Sequence, residues 1–275
     1  MPEIKTPHGR IHYEIHGKGP HLVMIRGLGT FTDHWSGWDK TLAEYFTVVT
    51  LDNRGLGKTS APMKPWISVK TLAHDVKTIM RHERVENAHI LGNSFGGMIA
   101  AEFAIQYPEL TKSLILVASS IGRSGHLRLS PEAAHLILTA PFRKEYLYEK
   151  LADLLTAPKT SRDIKSKLAE EWKEIDSRRG QPKSTVLGQL IAALRFRDWE
   201  KLQSIKCPTL IVSGAQDRFV PKGSSLFLHD KIPQSQLREI KDAGHEPHID
   251  QPEIVTQVVR EFISEQRSGN TISTT

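Results

Sequence analysis

The sequence predicts an α/β fold in which a mainly parallel sheet is covered by helices on both faces, with a helical region inserted late in the sheet. Three observations lead there. Short, continuous apolar runs at 21–26, 46–51, 88–91, 113–118 and 209–213 read as strands buried on both faces. Helix-period segments alternate with those runs, which is the pattern of a parallel sheet built from strand–helix–strand units. Between 119 and 205 the alternation stops and no β-rich run occurs.

In chain order, residues 10–16 (RIHYEIH) alternate apolar and polar. They connect through Gly17-Lys18-Gly19-Pro20 to a buried strand at 21–26, as in a hairpin. Residues 35–45 have the spacing of a short amphipathic helix, and FTVVTL at 46–51 is the next buried strand. A helix is expected over 69–81, then a strand at 88–91 and an alanine-rich helix that stops at Tyr107-Pro108. SLILVA at 113–118 is another continuous strand. The inserted region carries helical stretches at 142–155 and 161–175, with breaks at Pro158, Gly180 and Pro182. Strand–helix alternation resumes with 209–213, a helix near 223–230, a strand at 236–240 and a final helix at 253–266. The expected organisation is a core of residues 1–120 and 206–267, a helical cap of residues 121–205 and a polar, flexible tail at 268–275.

Composition narrows the class. At 275 residues, with 39% hydrophobic and 25% charged residues, the chain has the profile of an ordinary globular protein with one large core. No apolar run approaches the roughly 18 residues of a membrane span, and MPEIKTPHGR lacks the apolar segment of a secretory signal. The single cysteine, Cys207, excludes an internal disulfide and reads as a small buried hydrophobe. A cytoplasmic monomer or homodimer is the expectation. The net charge of +6 concentrates in 141–206, where 15 lysines and arginines face 10 acids. No compact basic block with interleaved aromatics occurs, so nucleic acid is not an expected partner. A solvated basic face, or attraction of anionic substrates, accounts for the excess.

The chemistry centres on Gly92-Asn93-Ser94-Phe95-Gly96-Gly97, set between a strand and a helix. A serine at so sharp a strand-to-helix turn is presented at the strand's carboxyl end. Side chains two residues before and two after it would collide, hence glycine at both places. The N–H of Phe95, at the helix start, can face a developing oxyanion. Serine is a weak nucleophile unless a base takes its proton, and that base needs an orienting acid. Asp217 follows the strand at 209–213, and His245 follows the strand at 236–240. Serine, acid, histidine, each on a loop after a successive strand, is the order of an α/β-hydrolase arrangement.

From residue 11 to residue 266 the chain resembles the α/β-hydrolase superfamily, in its serine-nucleophile carboxylesterase and lactonase-like branch with a helical cap. Asp52-x-Arg54-Gly55-x-Gly57-x-x-Ser60 is similar to that family's loop after its fourth strand. The resemblance implies Ser94, His245 and Asp217 as catalytic residues and an oxyanion hole formed by the N–H groups of Leu28 and Phe95. It implies no cofactor and no metal. Members usually carry His-Gly where this chain has Arg26-Gly27. Arg26 is then expected either to anchor loops through a neighbouring acid or to contact an acidic substrate group. Gly27, Trp35, Trp38, Met98 and His248 join Arg26 as candidate substrate contacts. Phe142, Trp172, Leu187, Leu190, Ile191 and Leu194 would be the cap's contribution to an apolar pocket.

Two other motifs carry less. Gly57-Lys58-Thr59 follows a strand but lacks the leading glycine of a phosphate loop, and Pro62 and Pro65 oppose the helix that would bind phosphate. His245 and His248 are interrupted by Pro247, with no third metal ligand evident. The expected activity is hydrolysis of a carboxylic ester or lactone through an acyl-enzyme. Carbon–carbon bond hydrolysis of a diketone-like acid is the alternative within the resemblance. A receptor-like binding protein with little turnover is the alternative outside enzymology.

Overall fold

The computed structural model describes residues 2–120, 130–139, 147–179 and 182–268. Eight strands form one sheet: β1 (Glu3–Thr6), β2 (Gly9–His16), β3 (His21–Ile25), β4 (Thr47–Leu51), β5 (Ala88–Asn93), β6 (Thr111–Val117), β7 (Thr209–Gly214) and β8 (Ser235–Ile240). Their spatial order is β1-β2-β4-β3-β5-β6-β7-β8. From β4 onward every neighbouring pair is parallel, while β1–β2 and β2–β4 are antiparallel. This is the mainly parallel sheet that the alternation of apolar runs predicts. Strand β1 was absent from the sequence expectation, because EIKT is short and half-exposed at the sheet's edge. Its alternation covers too few residues to stand out.

Helices α1 (Trp38–Ala43), α2 (Val69–His82) and α3 (Phe95–Gln106) lie between β3 and β4, β4 and β5, and β5 and β6, and α8 (Gly223–Lys231) connects β7 to β8. Helix α2 starts where Ser68 accepts the N–H of Thr71, and Val69, Leu72, Val76 and Ile79 form its buried stripe. Where the sequence suggests one helix over 35–45, the chain makes a 3₁₀ turn at Thr32–Trp35 and then α1. The break is at Ser36 and Gly37, both with positive φ. A short helix α9 (Pro247–Asp250) precedes α10 (Pro252–Ser268), which runs beyond the expected end at 266.

The core has two faces. Helices α2 and α3 pack on one, where Val23, Ile25, Ile90, Leu114, Phe103 and Ile99 meet. Helices α1 and α10 pack on the other, where Leu22, Met24, Leu91, Ile115, Val259 and Phe262 meet Trp35 and Trp38. Cys207 packs against the first face, and burial pushes its thiol up to about 11, so it stays protonated near neutrality.

Between β6 and β7 the described residues hold four α-helices, a 3₁₀ helix at Asp198–Ser204 and no strand: α4 (Pro131–Thr139), α5 (Leu147–Leu155), α6 (Arg162–Arg179) and α7 (Lys183–Arg195). Phe142 and Gly180, singled out in the sequence, lie outside the described residues. So do 269–275 of the expected tail, while Ser268 still belongs to α10. Helix α6 packs through Trp172, Leu168 and Ile175 against Phe31, and Asp176 stands 3.4 Å from His34. Helix α7 lies against the loops after β3 and β4: Thr185 donates to the carbonyl of Gly55, and Gln189 accepts the N–H of Gly29 at 2.8 Å.

Candidate active site

Ser94 sits between β5 and α3 with φ 54° and ψ −119°, a conformation that costs a non-glycine residue of order 1–3 kcal/mol. Its surroundings enforce it. A Cβ at Gly92 would strike the backbone of Gly96 and Gly97, and one at Gly96 would strike the carbonyls of Ile25 and Arg26. The glycines let β5, α3 and the loop after β3 touch, and the turn between them projects the hydroxyl outward. Ser94 itself is half-buried.

His245 Nε2 lies 3.0 Å from Ser94 Oγ, and His245 Nδ1 lies 2.9 Å from Asp217 Oδ2. Asp217 is held in turn, because its Oδ1 accepts the N–H groups of Phe219 and Val220, each at 2.8 Å. Three loops, after β5, β7 and β8, thus converge in one hydrogen-bonded chain. Burial opposes a charge on His245, but the carboxylate of Asp217 outweighs it through charge and hydrogen bond. Glu246 adds to that effect, Arg26 subtracts, and the net result is a raised imidazole pKa. The arrangement can move a proton from a hydroxyl to an imidazole and stabilise the imidazolium.

The loop after β3 abuts the serine. A Cβ on Gly27 would stand 3.2 Å from Ser94 Cβ and 3.4 Å from the carbonyl of Asn93, so this loop packs directly on the serine turn. Phe95 opens α3, and the first N–H groups of a helix have no acceptor within it. Phe95 immediately follows Ser94, and Leu28 immediately follows the glycine that abuts it.

The expected substrate contacts divide differently. Arg26 is completely buried. Its Nη1 donates to Glu246 Oε2 at 3.0 Å and to Asn93 Oδ1 at 3.2 Å, and its Nη2 donates to Glu246 Oε1 at 3.2 Å. The guanidinium also lies 4.7 Å from the Trp35 ring centre and 5.8 Å from that of Trp172. Of the two roles expected for Arg26, the loop anchor is the one seen. Trp35 and Trp38 are buried in the core beside α10, where Trp38 Nε1 donates to Thr256 Oγ1 at 3.0 Å. His248 is stacked on Trp38 with ring centres 4.7 Å apart. Burial, with Arg26 and His245 nearby, drives its pKa down to about 3 despite Glu246, so it is neutral and inward-facing. Met98 points from α3 into the other side of the core. These four are corrected from substrate contacts to interior packing, because apolar side chains beside a site loop are claimed first by the sheet they cover.

The cap candidates also separate. Leu187 and Leu194 are about half exposed on the outside of α7, while Trp172 packs edge-on against His34 at 5.2 Å. Two open surface cavities of about 470 and 780 Å³ lie elsewhere, one beside Glu132, His135 and Lys150, the other beside Tyr45 and Arg260. Among the described residues no cluster of side chains suited to a metal ion occurs.

Several site neighbours had no signal in the sequence. Phe219 packs on the His245 ring at 4.7 Å. Asp250 accepts the N–H of Gly244 at 2.7 Å and that of Ala157 at 3.0 Å, tying the histidine loop to the end of α5. Gln189 is fully buried against Gly29, and among the described residues its Nε2 has no partner. Arg54 ties the loop after β4 to helix α2, donating twice to Asp75 at 2.6 and 2.7 Å.

Comparison with known proteins gives these contacts a context. The family model described as alpha/beta hydrolase fold matches residues 20–252. A protein of Azorhizobium caulinodans named "Putative carbamate hydrolase RutD" is 27% identical over 265 residues, covering 96% of this chain and 99% of its own length. The pimeloyl-[acyl-carrier protein] methyl ester esterase of Aeromonas hydrophila subsp. hydrophila is 29% identical over 259 residues, covering 92% and 99%. Among solved structures, Est816, described as an N-acyl homoserine lactone degrading enzyme, superposes with a TM-score of 0.80 at 24% identity, covering 95% of this chain and all of its own.

Proposed function

The chain belongs to the α/β-hydrolase family, and we propose that it is a cofactor-free serine hydrolase of carboxylic esters or lactones, capped by residues 121–205. The observation that carries this reading is the continuous contact Ser94–His245–Asp217 at 3.0 and 2.9 Å. Ser94 Oγ attacks the substrate carbonyl as His245 Nε2 takes its proton. Asp217 remains ionised and holds the imidazolium. The N–H groups of Phe95 and Leu28 receive the negative charge that develops on the carbonyl oxygen, which supplies most of the stabilisation in such sites. Collapse expels the alcohol, to which His245 returns the proton, and leaves Ser94 acylated. Water, deprotonated by the same imidazole, then releases the acid.

The esterase name of the Aeromonas relative supports the ester reading. The name of the Azorhizobium relative favours a second substrate class, a carbamate, which the same steps would cleave. The test is a fluorophosphonate label with peptide mass mapping, run beside hydrolysis of p-nitrophenyl esters from acetate to octanoate, a lactone series and an aryl carbamate. Labelling at Ser94 with ester or lactone turnover is expected. Faster carbamate turnover would select the second class. No label and no turnover would leave a binding protein on a hydrolase fold.

A further inference from the structure

We infer that Arg26 and Glu246 are a positioning pair for the reaction, one that braces the nucleophile and the base through their chain neighbours and cancels its own charge at His245. This rests on the hydrolase reading above. One guanidinium meets residues on both sides of the chemistry. It donates to Asn93, which immediately precedes Ser94, and twice to Glu246, which immediately follows His245. Arg26 itself immediately precedes Gly27 and Leu28, and its carbonyl accepts from Asn53 Nδ2 at 3.4 Å. The loops after β3, β4, β5 and β8 therefore share one buried hub. The planar fork of arginine can hold a carboxylate bidentately and an amide oxygen at once, with Trp35 and Trp172 close to the guanidinium. A lysine ammonium carries the same charge without that fixed geometry.

The charges matter as much as the contacts. His245 is faced by Asp217 from the loop after β7, by Glu246 on its own loop, by Arg26 from the loop after β3 and by His248 from α9. Glu246 is faced by Arg26, His248 and His245, and it acts in turn on Asp250. Burial opposes its ionisation, but Arg26 outweighs burial and holds it as a carboxylate. His248 is neutral, so Arg26 and Glu246 are the opposed pair. Removing the cation lifts its own repulsion of the His245 imidazolium and so favours the protonated form, an effect reduced to the extent that Glu246, no longer held by Arg26, takes up a proton. Removing the anion does the reverse.

The experiment compares Arg26→Met, Glu246→Gln, the double variant and Arg26→Lys by steady-state kinetics against pH on the best ester found. Glu246→Gln should move the acid limb of kcat/KM down by about 1 pH unit, and Arg26→Met should move it up by less, because Glu246 loses the partner that holds it ionised. The double variant should return the limb to the wild-type position while kcat stays low. Arg26→Lys should leave the limb in place and lower kcat roughly 10–100-fold with little change in KM, the cost of a small misplacement of reacting groups. Should a single variant fail to fold with one buried charge unpaired, the double and the lysine variants decide. Wild-type kcat in either, or limb shifts of the same sign in the two single variants, overturns the inference. NMR titration of the His245 imidazole reads the same shifts without turnover. A Ser94→Ala variant that keeps its activity instead refutes the hydrolase assignment, so the two failures are distinct.

Discussion

The imidazole of His245 reaches Ser94 Oγ at 3.0 Å across 151 residues of chain, and the same ring reaches Asp217 on its other side. If this contact activates the hydroxyl, Ser94→Ala should lower kcat by roughly 10⁴–10⁶-fold, the scale of losing one member of a group that acts as a unit. Stability should change little, since Ser94 is half-buried at the end of a strand. Turnover of a p-nitrophenyl ester, with circular dichroism to verify folding, checks both halves. Activity near wild type would remove Ser94 from the mechanism.

The base must be neutral to accept a proton, so pH dependence has a defined sign. Burial disfavours the imidazolium but the Asp217 carboxylate outweighs burial, and the pKa lies above the ordinary imidazole value of about 6.5. Activity is therefore expected to fall as pH drops through that raised value. Asp217→Asn removes the charge that raises it. The acid limb should move to lower pH, while kcat falls about 10⁴-fold because the ring loses its required tautomer. A pH–rate profile of both proteins gives the answer. An unmoved limb would mean that another group controls it.

Backbone contact at the elbow makes a stability prediction. A Cβ on Gly92 meets main-chain atoms of Gly96 and Gly97, none of which can rotate away. Gly92→Ala should cost about 3 kcal/mol, the upper end of the range for overpacking a rigid interior. Gly223→Ala is the control. Its added methyl meets nothing within 4 Å, and the change should be neutral to stabilising by up to about 1 kcal/mol. Urea unfolding midpoints separate the two. Equal midpoints would show that the elbow relaxes around the methyl.

A second pH effect is expected far from the serine. Glu102 of α3 is fully buried, and burial together with the nearby Asp198 carboxylate raises its pKa from 4.5 to about 7. A raised folded pKa means that the folded chain holds this proton more tightly. The stabilisation is complete below 4.5 and is lost as pH rises through about 7. Relative to Glu102→Gln, which carries no titrating group, the wild type should lose about 1–3 kcal/mol over that window. Thermal melts of both proteins between pH 4 and 8 test it. A difference that does not vary with pH would refute the tighter hold on the Glu102 proton.

Much of the fold was legible because buried parallel strands are written as unbroken apolar runs. From β2 onward every strand was found within two residues of its observed start. The exception among strands, β1, is four residues long and lies at the sheet edge. The elbow was legible for a related reason: glycines on both sides of a serine record a local collision. The cap's inner surface was not. Leu187 and Leu194 share the apolar spacing of a helix face, yet both are about half exposed, while Gln189 between them is buried against Gly29. Helical periodicity marks an apolar stripe but does not say which neighbour covers it.

The sequence by itself determined the order of elements, the serine turn and the chain order of Ser94, Asp217 and His245, because each depends on local spacing and backbone sterics. Only the tertiary structure decided what Arg26 does. Its partner, Glu246, lies 220 residues away, and a lone arginine beside a glycine reads equally well as a substrate clamp or a loop anchor. The packing of two loops brings the carboxylate within 3.0 Å and takes both groups out of water. Once buried, each charge needs the other, which is a condition set by desolvation and not by any pattern along the chain. The same holds for Trp35 and Trp38, which pack with residues of α10, and for His248, which stacks on Trp38.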